Sequence, residues 1–292
     1  MGRYVFQSPE PFQHQVEGVR QLIAKDGRLA LLWSPGCGKS RTVLDYAGTL
    51  AVGANTECRV LVVAPKCTQD SWLKEAITYV PPQVGLWARV LQGTLAQKVA
   101  QMVDLGPSWA GAAHKVSPRD LLAVGAEGER NKRSAEPGEI LDRSRIGDTR
   151  ITLAVINLEA FSQRQQVGSQ TIADRLKNAV LSFSPHILVI DECHRLKSAS
   201  GNASRLLRRI APHIKRVILL TGTPSPHSPL DIWAQWAILD PTAFKSTVTG
   251  KPLSFQGFKD RYAETGGFMG KQVVEFRHLD ELQDRIAPRS MV

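Results

Sequence analysis

An apolar run, Leu29-Ala30-Leu31-Leu32-Trp33, leads directly into Ser34-Pro35-Gly36-Cys37-Gly38-Lys39-Ser40. Nothing else in the sequence narrows the fold as much. The order is strand, glycine-rich turn, helix. Glycines let successive backbone N–H groups converge on an anion, and the helix that follows points the positive end of its dipole at the same place. In such a loop Lys39 reaches the β- and γ-phosphates of a nucleotide and the Ser40 hydroxyl ligates Mg²⁺. The full loop pattern has glycine six residues before the lysine; Trp33 stands there, so the match is to the shorter Gly-x-Gly-Lys-Ser core. A strand-to-helix turn that binds nothing is the competing reading, and the downstream sequence bears on it.

A second apolar run, His186-Ile187-Leu188-Val189-Ile190, ends in Asp191-Glu192-Cys193-His194. A buried parallel strand delivers carboxylates to its C-terminal end, where ligands of open α/β sheets bind. Asp191 there would hold Mg²⁺, and Glu192 would orient or deprotonate an attacking water. A third run, Arg216-Val217-Ile218-Leu219-Leu220, ends in Thr221-Gly222-Thr223-Pro224, whose hydroxyls could bond toward His194. A plain turn is the alternative for that segment.

These three segments, in this order and spacing, resemble the first motor lobe of superfamily-two helicases, and within them the Swi/Snf-like ATPases. Further stretches are similar to other motifs of that lobe. Phe12-Gln13-His14-Gln15 resembles the amino-terminal glutamine motif, and Val60 to Lys66 with Trp72 resembles the segment that faces nucleic-acid backbone. Val155-Ile156-Asn157-Leu158-Glu159 matches the next strand-end motif, and Pro229 to Trp233, Leu239 to Pro241 and Phe258 to Tyr262 match the segments that close the lobe.

The resemblance implies an α/β, RecA-like P-loop NTPase lobe with a mostly parallel sheet flanked by helices. It implies ATP and Mg²⁺ as cofactors, held by Gln15, Gly36, Cys37, Gly38, Lys39, Ser40 and Arg41, with Ser40 and Asp191 at the metal. Lys39, Asp191, Glu192 and His194 would be catalytic; Pro65, Lys66, Asn157, Thr221, Gly222 and Thr223 would meet nucleic acid. Cys193 replaces the more usual alanine of the Asp-Glu-x-His box. The family's second lobe, with its arginine-bearing motif, has no counterpart in the 292 residues. A partner lobe, in trans or in a longer polypeptide, is therefore implied for efficient hydrolysis.

The remaining sequence is consistent with one decorated lobe. Strand–helix alternation, the mark of a parallel sheet, runs through the chain. It predicts helices over Gln13–Ala24, after Gly38, and over Asp70–Thr78, Leu95–Val103, Thr171–Ser182, Ala203–Ile210, Phe255–Ala263 and Leu279–Ile286. From Gly106 to Arg150 the pattern fails, and 106–150 reads as an insertion or mobile loop. The expected division is an ATP-binding lobe at 1–240 and a helical or hairpin extension at 241–292. A formal charge of +10 and a pI of 9.7 favour a polyanion such as double- or single-stranded DNA, gripped through its backbone. No apolar run approaches the ~18 residues that span a bilayer, so no membrane partner is expected. Four scattered cysteines suggest neither disulfide framework nor zinc site, and hence a reduced, cytoplasmic setting, or a nucleoid or nuclear one for a DNA-associated protein.

Three functions stay open: a DNA-dependent ATPase of helicase or translocase type, a catalytically weak ATP-gated DNA-binding module, and the motor subunit of a restriction-type assembly.

Overall fold

Eight strands form the main sheet. From edge to edge they are Ser290–Met291, Arg28–Leu31, Arg216–Leu220, Ile187–Asp191, Glu57–Ala64, Arg150–Asn157, Gly85–Val90 and Leu141–Arg143. All neighbours are parallel except the last pair, Gly85–Val90 with Leu141–Arg143, which is antiparallel. The computed structural model describes residues 4–105, 141–143, 149–163, 166–167, 170–225, 228–246, 248–266 and 272–292. Of the stretch expected as an insertion, 106–140 and 144–148 lie outside the described residues; 141–143 supply the antiparallel edge.

A parallel strand covered on both faces needs apolar residues at every position, because alternate side chains point to opposite sides. Val60, Val62, Ile187 and Val189 enter one apolar cluster, with Leu22, Leu44, Tyr46 and Trp72 from the helices Gln13–Ala24, Lys39–Ala54 and Gln69–Tyr79. Leu61, Val63, Leu188 and Ile190 enter the other, against the helices Leu95–Asp104, Ile172–Phe183, Asn202–Ile210 and Ile232–Leu239. The 241–292 segment, expected as an extension, packs into that second cluster through Phe244, Phe258, Tyr262 and Leu282. Its last strand also closes the sheet, since Ala30 and Leu31 pair with Ser290 and Met291.

Strand order places the site. Arg216–Leu220 lies between the strand that feeds the glycine loop and the strand that ends in Asp191. Thr221–Pro224 therefore emerges between the loop and the Asp191–His194 turn. The glycine loop, far upstream in the chain, thus shares one sheet edge with the Asp191–His194 and Thr221–Pro224 segments.

Arg28 fastens the opposite end of the loop strand. Its guanidinium donates to the carbonyls of Lys215 (3.1 Å), Leu239 (2.6 Å), Ala211 (3.4 Å) and Ile214 (2.8 Å). Removing it takes a donor from each of these carbonyls, of which Ala211 O keeps the Ile214 N–H. Arg28→Leu is expected to lower stability by about 3 kcal/mol, read as a shift of the urea midpoint at unchanged slope.

In the C-terminal segment, the Glu281 carboxylate accepts from the Arg261 guanidinium and from Tyr262 Oη at 3.0 Å, and pairs with Arg285 Nε at 2.7 Å. The Arg261 hydrogen bonds, the largest effect, hold its carboxyl down at about 2, below its ordinary 4.5. A folded-state value below the unfolded one contributes stability above the unfolded value, and loses it as pH falls through the folded one. The contribution is thus present above pH 4.5 and lost toward pH 2. After allowance for partial exposure, ~1–2 kcal/mol should disappear across that window. Glu281→Gln should flatten the dependence in urea titrations run between those pH values.

Candidate nucleotide and nucleic-acid site

Two left-handed glycines shape the loop. Gly36 has φ 82° and Gly38 φ 76°, conformations that suit glycine because no Cβ opposes them. The helix Lys39–Ala54 starts immediately after Gly38. A Cβ on Gly38 would collide with the Gln15 amide, whereas one on Gly36 would meet nothing within 4 Å. The loop is therefore packed from behind and open in front. Lys39 Nζ lies across it, donating to the carbonyls of Trp33 (2.8 Å) and Ser34 (3.2 Å). An anion entering the loop meets an ammonium held by two peptide carbonyls.

The amino-terminal helix closes the back of the loop. The buried Gln15 side chain donates from Nε2 to Cys37 O at 3.1 Å, and its Oε1 accepts from Phe12 N at 3.0 Å. His14 Nε2 donates to the same Cys37 carbonyl at 2.8 Å, its ring edge-on to Trp33. Gln15 is thus anchored to the loop itself. Arg41 behaves otherwise: its buried guanidinium turns to the carbonyls of Gln7 (2.9 Å) and Pro9 (2.5 Å), with Asp45 at 3.5 Å and the Tyr79 ring beneath it. Arg41, expected among the nucleotide contacts, ties the N-terminal segment to the loop helix through its guanidinium.

Asp191 is the most constrained acid of the site. Its Oδ1 accepts from Glu192 N at 3.0 Å; its Oδ2 accepts from Trp72 Nε1 at 3.1 Å and Thr68 Oγ1 at 3.4 Å. Burial raises its carboxyl above the usual range against those donors. Glu75, one turn beyond Trp72, hydrogen-bonds Ser40 and feels the charge of Asp191; burial, the larger effect, raises its carboxyl too. Ser40, Asp191 and Glu75 form an all-oxygen donor set, the hard-ligand chemistry that Mg²⁺ takes. These residues fit the ion that the loop motif implies. Sequence reading missed Thr68 and Glu75, although their spacing from Trp72, i−4 and i+3, is that of one helical face.

Glu192 has φ 48° and ψ 51°, a left-handed backbone in a residue with a side chain. Such conformations cost of order 1 kcal/mol and gather at functional sites. Here the kink turns the chain abruptly after Asp191. His194 Nδ1 then lies 3.2 Å from Glu192 Oε2 and 2.9 Å from Thr221 Oγ1. Thr221 Oγ1 in turn accepts from Thr223 N at 3.1 Å. The Asp191–His194 turn and the Thr221–Thr223 turn are so joined by side chains. Thr221, expected at nucleic acid, is wholly buried, and its hydroxyl is committed to His194 and Thr223. Its hydroxyl links the two turns. Gly222 packs against Trp33 and Pro35 of the loop, and Thr223 is exposed.

The remaining nucleic-acid candidates lie at neighbouring strand ends. Pro65 is buried where the strand Glu57–Ala64 ends, and Lys66 is exposed beside it. Asn157 accepts from Lys98 and donates to Glu159 at 3.0 Å, and Glu159 pairs with Arg195 at 3.5 Å. Lys98 and Arg195 were not singled out from sequence. On the helix Asn202–Ile210 the arginines divide: Arg209 pairs with Asp174 at 2.8 Å, Arg208 stacks on Trp233 at 4.8 Å, and Arg205 is exposed.

A family model described as the SNF2-related domain matches residues 14–262, from the loop-closing helix to the last core tyrosine. The chain belongs to the SNF2-related family. Its curated relatives in that family include the DNA annealing helicase and endonuclease ZRANB3 of Bos taurus, 24% identical over 234 residues. Another is the ISWI chromatin-remodeling complex ATPase ISW2 of Saccharomyces cerevisiae, 23% identical over 234 residues. The matches take in 80% and 79% of this chain but only 16% of each relative. Among solved structures, the Sulfolobus solfataricus SWI2/SNF2 ATPase core in complex with dsDNA superimposes with a TM-score of 0.55 at 16% identity. That match covers all of this chain and 46% of the solved one. The SNF2-related chain thus has the fold of an SWI2/SNF2 ATPase core over less than half of that core's length. Among its described residues no helix is long and apolar enough to cross a membrane.

Proposed function

We propose that this chain is the ATP-binding first lobe of a DNA-dependent ATPase of helicase or translocase type, which hydrolyses ATP efficiently only when a second lobe closes the cleft. The observation that supports it most is the meeting, on one sheet edge, of the open Gly36–Ser40 loop, the Asp191–Glu192–His194 turn and Thr221. A lobe that only held DNA would have no chemical use for all of these together.

Lys39 and the loop N–H groups bind the triphosphate. Ser40 and Asp191 would hold Mg²⁺, which supplies charge compensation for the phosphate oxygens when bound. Thr68 and Trp72 keep the Asp191 carboxylate in one orientation. Glu192 accepts a proton from the attacking water, and His194 holds Glu192 in place. Phosphoryl transfer needs charge stabilisation from both sides of the cleft, and an arginine supplied across it is worth ~10³–10⁵ in rate. That arginine belongs, on this reading, to the second lobe. Lys66, Lys98 and Arg195 offer the strand-end face to phosphodiester backbone, with duplex DNA as the favoured partner. Contacts of that kind carry little base preference and weaken steeply with salt.

The test is Mg·ATP calorimetry and steady-state hydrolysis on the purified chain, with and without duplex DNA. Binding with slow, weakly DNA-stimulated turnover is expected. Vigorous DNA-stimulated turnover by the monomer would overturn the need for a second lobe; absence of Mg·ATP binding would overturn the reading as a whole.

A further inference from the structure

The helix Ile232–Leu239, Ile-Trp-Ala-Gln-Trp-Ala-Ile-Leu, is apolar at every position but one. The exception, Gln235, is 0% exposed. A primary amide in such a place is tolerated only with its hydrogen bonds made. Gln235 makes them to two segments of the site. Its Oε1 accepts from Cys193 Sγ at 3.1 Å, and its Nε2 donates to Pro224 O at 2.6 Å and to Asp231 O at 3.2 Å. Cys193 directly follows Glu192, and Pro224 directly follows Thr223. Cys193 is also 0% exposed.

We propose that Gln235 is a positioning residue that makes the Glu192–Leu196 turn and the Thr221–Pro224 turn respond to nucleotide as one unit. Among the described residues, two side-chain links join these turns. One is the partly exposed His194–Thr221 contact. The other is the buried bridge from the Cys193 thiol through the Gln235 amide to the Pro224 carbonyl. A single side-chain hydrogen bond is a hinge about which two turns can rotate. A second one, made from the neighbouring residue Cys193, restricts that freedom, so a displacement of Glu192 is carried to Thr221–Pro224 rather than absorbed between them. Gln235 meets neither nucleotide nor metal, and acts through Cys193 and Pro224. The inference rests on the ATP-binding reading above.

Hydrogen–deuterium exchange of the full chain, with and without Mg·ATP, tests it. In the wild type, Mg·ATP should slow exchange in residues 34–41, 191–196 and 221–225 together, by about fivefold or more in each. Gln235→Leu should keep the slowing in 34–41 and 191–196 but reduce that in 221–225 to less than about twofold. Cys193→Ala, which removes only the donor, should do the same and carries the test if the leucine variant does not fold. Cys193→Ser keeps a donor and should behave as wild type. A merely structural role would speed exchange in both turns before nucleotide is added and leave the ligand response intact. That outcome, or an undiminished response of 221–225 in both Gln235→Leu and Cys193→Ala, overturns the proposal. No slowing anywhere in the wild type would instead overturn the ATP-binding reading beneath it.

Discussion

Lys39→Met binds Mg·ATP about a hundredfold more weakly than the wild type, while its urea midpoint stays close to the wild-type value. The size follows from what the ammonium does in each state. Without nucleotide it donates to two loop carbonyls at 2.8 and 3.2 Å, on a half-exposed surface where water can replace it. Its loss therefore costs the fold little. With a triphosphate in the loop the same group makes charge-assisted hydrogen bonds, worth about 1.5–3 kcal/mol, to oxygens that nothing else in the loop neutralises. Each 1.4 kcal/mol is tenfold in affinity, so about one to two orders of magnitude are at stake. Calorimetry on the two proteins measures it directly. An unchanged affinity would mean that the ammonium does not meet phosphate and that the Gly36–Ser40 turn is only a turn.

Glu192→Gln separates chemistry from binding. The amide keeps the shape of the side chain and can still bond His194, which lies 3.2 Å from Glu192 Oε2. It cannot accept a proton. General-base contributions run to about 10²–10⁴ in rate, so the hydrolysis this lobe achieves should fall by roughly 10³. Nucleotide affinity should stay within about threefold of wild type, because the loop, Ser40 and Asp191 are untouched. The clearest readout is the identity of the nucleotide recovered after incubation: ADP from the wild type, ATP from the variant. A catalytically weak ATP-gated binding module would show no difference between the two, and that result would favour the second of the functions left open by the sequence.

What the sequence disclosed, and what it withheld, follows from the range of the forces involved. The sheet was legible because parallel strands buried on both faces need unbroken apolar runs, and Ile187–Ile190 and Val217–Leu220 have no other use for such runs. The helix Gln13–Ala24 falls on its predicted bounds, and the helices beginning at Gln69, Leu95, Ile172 and Asn202 fall within one residue of theirs. The loop and acid motifs were legible because their chemistry fixes residue types at fixed spacing. Side-chain direction was not. Arg41 follows Ser40 immediately, yet helical geometry turns it a hundred degrees away from the loop, onto the Gln7 and Pro9 carbonyls. Thr221 could not be known as buried until the strand order put it between two other strand ends. Gln235 looked like a blemish in an apolar helix, because Cys193 and Pro224 are its partners only through the fold. The edge strand Ser290–Met291 is two residues long, too short for any periodicity to announce.

The central claim is spatial: one triphosphate and one cation fit between the Gly36–Ser40 loop and Asp191. Its most direct test is a crystal structure of the chain with a non-hydrolysable ATP analogue and Mn²⁺ in place of Mg²⁺, with the metal located by anomalous scattering. The expected result is phosphate density within the loop and a manganese peak between the Ser40 hydroxyl and the Asp191 carboxylate. A fully occupied analogue whose metal lies away from both residues, or a loop left empty at saturating nucleotide, would contradict it.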